Sequence, residues 1–294
     1  PLVAIVDTGL MGNLDDASYL TATSIASSLF SMIFLSFGFL RMGTVGMVAQ
    51  AHGSNQYNEI VDLVFRNITF VIVISLLLIF LQHFIFNFGL QIFDLSNDTE
   101  KYFNDYFYIR IYSSFGELTI YVITGLFIGL QKTKISSVIV GFFSITNIIF
   151  SLFFVLYFKL NVTGVALGTL VSSTLTSFIF LIYTFFELKK LTNINFDIKK
   201  IFNVKKIQNI FNINFNIFIR SVLLTFSFLF FTYLGNTISE DVVAANTILI
   251  NLIFLSAFIL DAYAFSTEGI VGYSIGSKNI TLLRNVIKNS FMLS

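Results

Sequence analysis

The strongest constraint on this chain is a series of apolar stretches too long for strands. Between Glu59 and Phe86, for example, the run Val71-Ile72-Val73-Ile74-Ser75-Leu76-Leu77-Leu78-Ile79-Phe80-Leu81 carries no charge. A helix rises about 1.5 Å per residue, so about 20 apolar residues cross the roughly 30 Å hydrocarbon layer of a bilayer. Eight such segments and the start of a ninth can be read along the chain. They run at about 1–13, 20–51, 59–86, 102–130, 136–158, 164–186, 210–234, 243–275 and from 282 onward. Barrel strands would instead alternate in polarity over roughly 10 residues. The fold class expected is therefore an all-α polytopic membrane protein. Composition agrees: 56% of the residues are hydrophobic and only 11% charged, against about 25% charged in soluble domains.

Whole classes of chemistry fall away. There is no cysteine, hence no disulfide framework, thiol nucleophile or thiolate metal site. His52 and His83 lie far apart and form no ligand cluster, so no metal site is expected. No GxxxxGK phosphate loop is present. The reading is of a protein that is not an enzyme, needs no cofactor and has no nucleic-acid partner. No signal peptide is expected before Pro1. The chain begins and ends inside apolar segments, which reads as a fragment truncated at both ends.

Lysine and arginine set the expected orientation. The connections after segments two, four, six and eight hold Arg41, Lys132, Lys134, Lys189, Lys190, Lys199, Lys200, Lys205, Lys206, Lys278 and Arg284. The opposite connections hold Lys101 and Lys159 among several acids. The positive-inside rule puts the first set in the cytoplasm. The domain reading is a six-helix lobe at 1–186 with its first helix incomplete, a cytoplasmic linker at 187–208, and the start of a second lobe at 209–294. The lysines of the linker anchor topology or bind lipid headgroups.

The second lobe looks like a copy of the first. Sliding the chain by 223 residues places Thr44-x-Gly46-x-Val48 and Gly53-Ser54 on Thr267-x-Gly269-x-Val271 and Gly276-Ser277. Gly12-Asn13 falls on Gly235-Asn236 in the same alignment. An offset of six helices keeps orientation, so the repeat is parallel, about an axis along the membrane normal, as in secondary transporters.

Ionisable residues inside apolar segments are costly, by roughly 2.5–3.5 kcal/mol each on insertion scales, and are functional candidates by default. They are Asp7, Arg110, Glu117, Arg220, Asp261 and Glu268. Arg110 and Glu117 are seven apart, as are Asp261 and Glu268, which returns each pair to nearly one helix face. Such charges either pair structurally, for instance Arg220 with Asp261, or line a water-filled path. Asp7 has no cation near it in sequence, which favours an exchangeable proton or Na+ there. A carboxylate taken out of water holds a proton more readily. Asn147 and Ser151, one turn apart, could complete a polar site. Pro1 lacks a backbone donor and lets the first helix bend six residues before Asp7.

Several stretches resemble the multidrug and toxic compound extrusion (MATE) family, and within it the DinF-like branch. They are Pro1-Leu2-x3-Val6-Asp7-Thr8-x3-Gly12; Gly38-Phe39-Leu40-Arg41-Met42-Gly43-Thr44 with Ala49-Gln50-Ala51-x-Gly53; Ile109-Arg110-Ile111 with Gly125-x3-Gly129-Leu130-Gln131-Lys132-Thr133; Gly164-Val165-Ala166-Leu167-Gly168-Thr169; Phe218-Ile219-Arg220-Ser221; and Ala244-Ala245-Asn246 with Leu260-Asp261-Ala262. The resemblance implies twelve helices in two six-helix lobes with a cavity between them. It implies an antiporter of the bacterial inner membrane that exports organic, often cationic, amphiphiles in exchange for H+ or Na+. Such a protein is surrounded by lipid, binds a small organic substrate and works as a monomer. Asp7 matches the first-helix acid that carries the coupling ion, and Asn147 and Thr169 match its polar partners. Two departures stand out. Ser151 occupies the place of a frequent second acid, which favours protons over Na+. Ser114-Phe115-Gly116 replaces the proline common in the fourth helix. A flippase for lipids or lipid-linked saccharides shares the broad architecture and is the alternative. A non-transporting membrane scaffold would explain the hydrophobicity but not the buried acids and arginines.

Overall fold

A computed structural model of the protein describes residues 2–14, 17–93, 95, 97–192, 203–238 and 240–293, and every regular element among them is helical. The helices are α1 (Leu2–Gly12), α2 (Ala17–Ser36), α3 (Phe39–Gly53), α4 (Tyr57–Phe80), α5 (Gln82–Phe93), α6 (Asn97–Arg110), α7 (Ser114–Gly129), α8 (Thr133–Leu152), α9 (Asn161–Leu191), α10 (Val204–Ile238), α11 (Glu240–Gly276) and α12 (Ile280–Leu293). Among the described residues, six stretches are long and apolar enough to cross a membrane, from Ser18–Gly53 through Val204–Phe228. Pro1, where a hinge was expected, and residues 193–202 of the charged linker lie outside the described residues.

Helix α9 inverts the polarity of a helix in a soluble bundle. Helix α9 buries Ser172, Ser173 and Thr176 completely and leaves Phe178 64% exposed. Lipid is as apolar as a leucine core, so close packing of small and hydroxyl side chains, not burial of oily ones, holds helices together in a membrane.

The helices run longer than the apolar segments. Arg41, placed by sequence in a connection, lies inside α3, well before its end at Gly53. The expected turn from Gly235 to Asp241 is helical up to Ile238 and again from Glu240. A helix satisfies its own backbone, so nothing obliges it to stop at the membrane surface. Where segments do break, the breaks are local. The second segment parts at Phe37-Gly38, between α2 and α3. The fourth is interrupted by a 3-10 turn at Ile111–Ser113, immediately before the Ser114-Phe115-Gly116 that stands in place of a proline.

The chain forms two compact units. The first comprises Pro1–Leu35, Val64–Thr124 and Lys134–Asn195. Its core is a cluster of rings, with Phe107 5.3 Å from Phe30 and 5.5 Å from Phe86, centroid to centroid. The second comprises Ser36–Leu63, Gly125–Thr133 and Phe196–Ser294. There α3 packs on α10 and α11.

Within the second unit the 223-residue repeat is visible atom by atom. At the end of α3, the N–H groups of Ser54, Asn55 and Gln56 donate to the carbonyls of Gln50, His52 and Ala51. At the end of α11, Ser277, Lys278 and Asn279 donate to Tyr273, Ile275 and Ser274, which is the same pattern shifted. Both turns need a residue with positive φ, Asn55 at 58° and Lys278 at 56°, which satisfies the last carbonyls of each helix. The two copies also touch each other reciprocally. A Cβ on Gly53 would fall on the Tyr273 carbonyl, and one on Gly276 would fall on the Gln50 carbonyl. Gln50 and Tyr273 are themselves repeat partners, as are Ala49 and Gly272, which meet between them. A contact in which i meets j′ while i′ meets j is the signature of a two-fold axis. The partners advance together along both helices, so α3 and α11 run parallel and the axis runs along them.

Candidate functional site

Asp7, Asn147, Thr169, Arg110 and Glu117 all line one cavity of about 550 Å³ inside the first unit. The glycine stripe of α9 makes the site possible. At Gly168 a Cβ would lie 2.7 Å from the Ser151 nitrogen, so α9 meets α8 backbone to backbone and Thr169 reaches Asn147.

The hydrogen bonds there have a fixed direction. Asn147, with no exposed surface, donates through Nδ2 to the Thr169 hydroxyl at 3.0 Å, and Thr169 donates onward to the Val165 carbonyl at 3.2 Å. Because the Thr169 proton is spent on its own helix, its oxygen can only accept from Asn147. The amide orientation follows, and Asn147 Oδ1 is left as an acceptor with no partner. Asp7, half-buried on α1, likewise has a buried carboxyl oxygen with no hydrogen bond. Ser151 is fully buried beside Asp7, and its hydroxyl faces the carboxylate without a hydrogen bond of normal length. Buried polar atoms are nearly always paired, so this cluster of open oxygens fits something the protein alone does not supply: a proton on Asp7, a cation, or water.

The 3-10 turn builds the cavity's charged wall. It sets Arg110 and Glu117 on either side of Ser113. The Arg110 guanidinium donates to Glu117 Oε1 and to the Ser113 hydroxyl, and it stacks 5.2 Å from the Phe30 ring. Both side chains are nearly buried, 11% and 13% exposed. Spacing by seven does return these two to one face, and they pair. The sequence reading found no cation beside Asp7. In space Arg110 is within electrostatic reach of it, because a distant segment packs there. Its bond to Glu117 keeps it from neutralising Asp7 directly.

Removing one member of this pair is expected to be costly. Glu117→Gln leaves a buried guanidinium without its counter-charge, and breaking a buried pair costs about 3–5 kcal/mol. The double variant Arg110→Met/Glu117→Leu should recover most of that loss. Thermal unfolding of the full-length protein in detergent checks both. A single variant as stable as wild type would mean the pair does not hold the fourth segment.

The remaining candidates lie in the second unit. Arg220 is exposed, and its Nη2 touches the Met42 sulfur at 3.6 Å. Asp261 is exposed, and among the described residues no ion pair joins it to Arg220. Glu268 is half-buried within reach of Arg41 and Arg220. Arg41 itself stacks 3.9 Å over the Phe265 ring. Among the described residues no three His, Cys, Asp or Glu side chains converge on a point.

Sequence reasoning missed three features. Tyr106, 2% exposed, lines the cavity and shares a 3.2 Å hydrogen bond with Ser27. Arg66 on α4 is 1% exposed and belongs with the intramembrane charges. The hydroxyl face of α2 also lines the cavity, and its helical spacing was legible at 21, 24, 28 and 31.

Comparison with known proteins bears on the family and the fold. A family model described as MatE matches residues 1–153. The DNA damage-inducible protein F of Escherichia coli (strain K12) is 27% identical over 286 residues, covering 97% of this chain and 62% of that protein. Solved structures of a MOP superfamily transporter from Pyrococcus furiosus and of a multidrug resistance MATE family transporter in an outward-facing conformation superpose with TM-scores of 0.87 and 0.88. Each is 16% identical and matches 99% of this chain and 64% of its own length. The chain thus spans somewhat under two thirds of the relatives it matches, and the structural likeness concerns the fold.

Proposed function

The chain belongs to the MatE family, and on that premise we propose that it is the larger part of a secondary active antiporter. It exports organic, cationic or amphiphilic compounds in exchange for H+ or Na+. Asp7 is the coupling residue, with Asn147, Thr169 and Ser151 as its polar partners. The observation that carries this reading is the pairing of two unsatisfied acceptors, Asp7 Oδ1 and Asn147 Oδ1, at one cavity. Ionised, the carboxylate is an acceptor only and needs a cation between it and its neighbours. Protonated, it becomes a donor and needs none. The site therefore has two self-consistent states, each holding one positive charge: a cation on the carboxylate, or a proton. With Glu117 engaged by Arg110, and Ser151 where a further acid would strengthen a metal site, Asp7 stands, among the described residues of the cavity, as the one carboxylate outside the salt bridge, which favours the proton.

Transport also needs a seal that forms in one state and opens in the other. The backbone contact of α3 on α11 supplies it, at the end of the protein that carries Lys132, Lys206 and Lys278. The lysine balance puts that end, with the linker 187–208, in the cytoplasm of a bacterial inner membrane. Glu268 between Arg41 and Arg220, and Asp261 further along α11, are switch candidates there. Arg110 and Glu117 brace the cavity. Lipid surrounds a monomer. A flippase for lipid-linked saccharides would need cations open to a phosphate, and the cavity's arginine is engaged with Glu117.

The test uses the full-length protein in proteoliposomes loaded with a fluorescent cationic dye, with a proton gradient and a Na+ gradient imposed separately. Efflux driven by the proton gradient alone is expected. Efflux that needs only Na+ reassigns the ion, and efflux with neither gradient rejects antiport.

A further inference from the structure

Resting on that reading, we infer that the hydroxyl face of α2 is a recognition wall that selects cargo bearing hydrogen-bonding groups along one edge, such as hydroxylated aromatic amines. Thr21, Ser24, Ser28 and Ser31 fall on one face of α2 and all four are exposed. Elsewhere the exposed faces are oily: α4 presents Val73, Leu76, Leu77 and Phe80, and α8 presents Val138, Ile145 and Ile149. By the protein's own pattern, an exposed row of hydroxyls does not face lipid.

Ser24, Ser28 and Ser31 line the same cavity as Asp7. Ser28 donates to the Ser24 carbonyl at 2.8 Å, so its oxygen remains an acceptor. Two buried groups are open at the same cavity. Thr23 is 4% exposed and its hydroxyl has no partner, and Asn147 Oδ1 is equally unpartnered. Val3, Leu20 and Phe143 supply apolar lining. A ligand that satisfies all of these has one basic nitrogen for Asp7, an apolar body, and hydroxyl or carbonyl groups along one edge. A cavity of about 550 Å³ lies within the range of drug-sized sites.

The test compares two probes on the full-length protein. Doxorubicin is a hydroxylated aromatic amine; tetraphenylphosphonium is a cation with no hydrogen-bonding group. In the triple variant Ser24→Ala/Ser28→Ala/Ser31→Ala, doxorubicin affinity should fall about tenfold or more, since each lost hydrogen bond removes a severalfold factor, while tetraphenylphosphonium affinity changes less than about twofold. These 294 residues contain no cysteine, and in a full-length background with any other cysteine replaced by serine, single Ser24→Cys, Ser28→Cys and Ser31→Cys variants report water access directly. Each should react with a charged, membrane-impermeant thiol reagent, and doxorubicin should protect it. An equal loss for both probes, no loss for either, or no binding of doxorubicin to the wild type overturns the selectivity. Unreactive cysteines would mean that another helix covers the face, and overturn the wall itself. Loss of antiport in the gradient experiment leaves both readouts interpretable, so the two readings fail separately.

Discussion

Asp7→Asn is expected to bring gradient-driven efflux down to the level of liposomes without transporter, with expression and thermal stability unchanged. The asparagine amide is the closest permanent mimic of the protonated acid. Like the protonated acid it carries a donor, and it lines the cavity at which Asn147 Oδ1 is open because Asn147 Nδ2 is held by Thr169. The variant is thus fixed in the proton-loaded arrangement and cannot cycle. A ligand moves an equilibrium only through its differential affinity for the two states, and a site that never releases its proton has none to offer. Fold stability is spared because Asp7 forms no ion pair among the described residues; the cavity's salt bridge is Arg110 to Glu117. Asp7→Glu should keep partial activity. The decisive measurement is dye efflux under an imposed proton gradient at equal reconstitution, and wild-type rates in Asp7→Asn would sink the coupling role.

Gly53→Leu and Gly276→Leu should each abolish transport, and by similar amounts, while Gly46→Leu in the same helix as Gly53 should not. A side chain at Gly53 meets the Tyr273 carbonyl and the Ser277 nitrogen; one at Gly276 meets Gln50. These neighbours are backbone and cannot turn aside. Gly46 has nothing within 4 Å. Overpacking costs about 1–3 kcal/mol even where side chains can adjust. Each 1.4 kcal/mol is about a factor of ten in population, so the closed seal would become a minor state. The equality is the sharper expectation, since it follows from the reciprocal contact and not from either glycine alone. Substituted-cysteine labelling next to the seal, at Gln56 and Asn279, checks it through increased reactivity from the cytoplasmic side. A strong effect at one glycine with none at the other would refute the two-fold seal.

Much of the molecule was legible before any coordinates. Long uncharged runs forced helices, because a chain in hydrocarbon must bond its backbone to itself. The repeat was legible at Thr44, Gly53 and their partners because helix ends and backbone contacts tolerate few residue types. Asp7 stood out because an acid among Val6, Thr8 and Leu10 has no other reason to be there. Arg110 and Glu117 were one heptad apart, and local periodicity placed them on one face while leaving open whether they pair. Asn147 and Thr169 came from the resemblance.

What the sequence by itself determined about this protein is local: where helices run, which residues share a face, and which copies repeat. Only the tertiary structure decided which faces meet. It set Arg110 beside Asp7 across a hundred residues, turned the serines of α2 toward the same cavity, left Asp261 apart from Arg220, and laid Gly53 on Tyr273. The physical reason is that lipid and helix interior are equally apolar. In water, an oily stripe points inward. In a bilayer, hydrophobicity is silent about inside and outside, and the choice falls to close contacts of small residues and to bonds between distant polar groups, which no window along the chain contains.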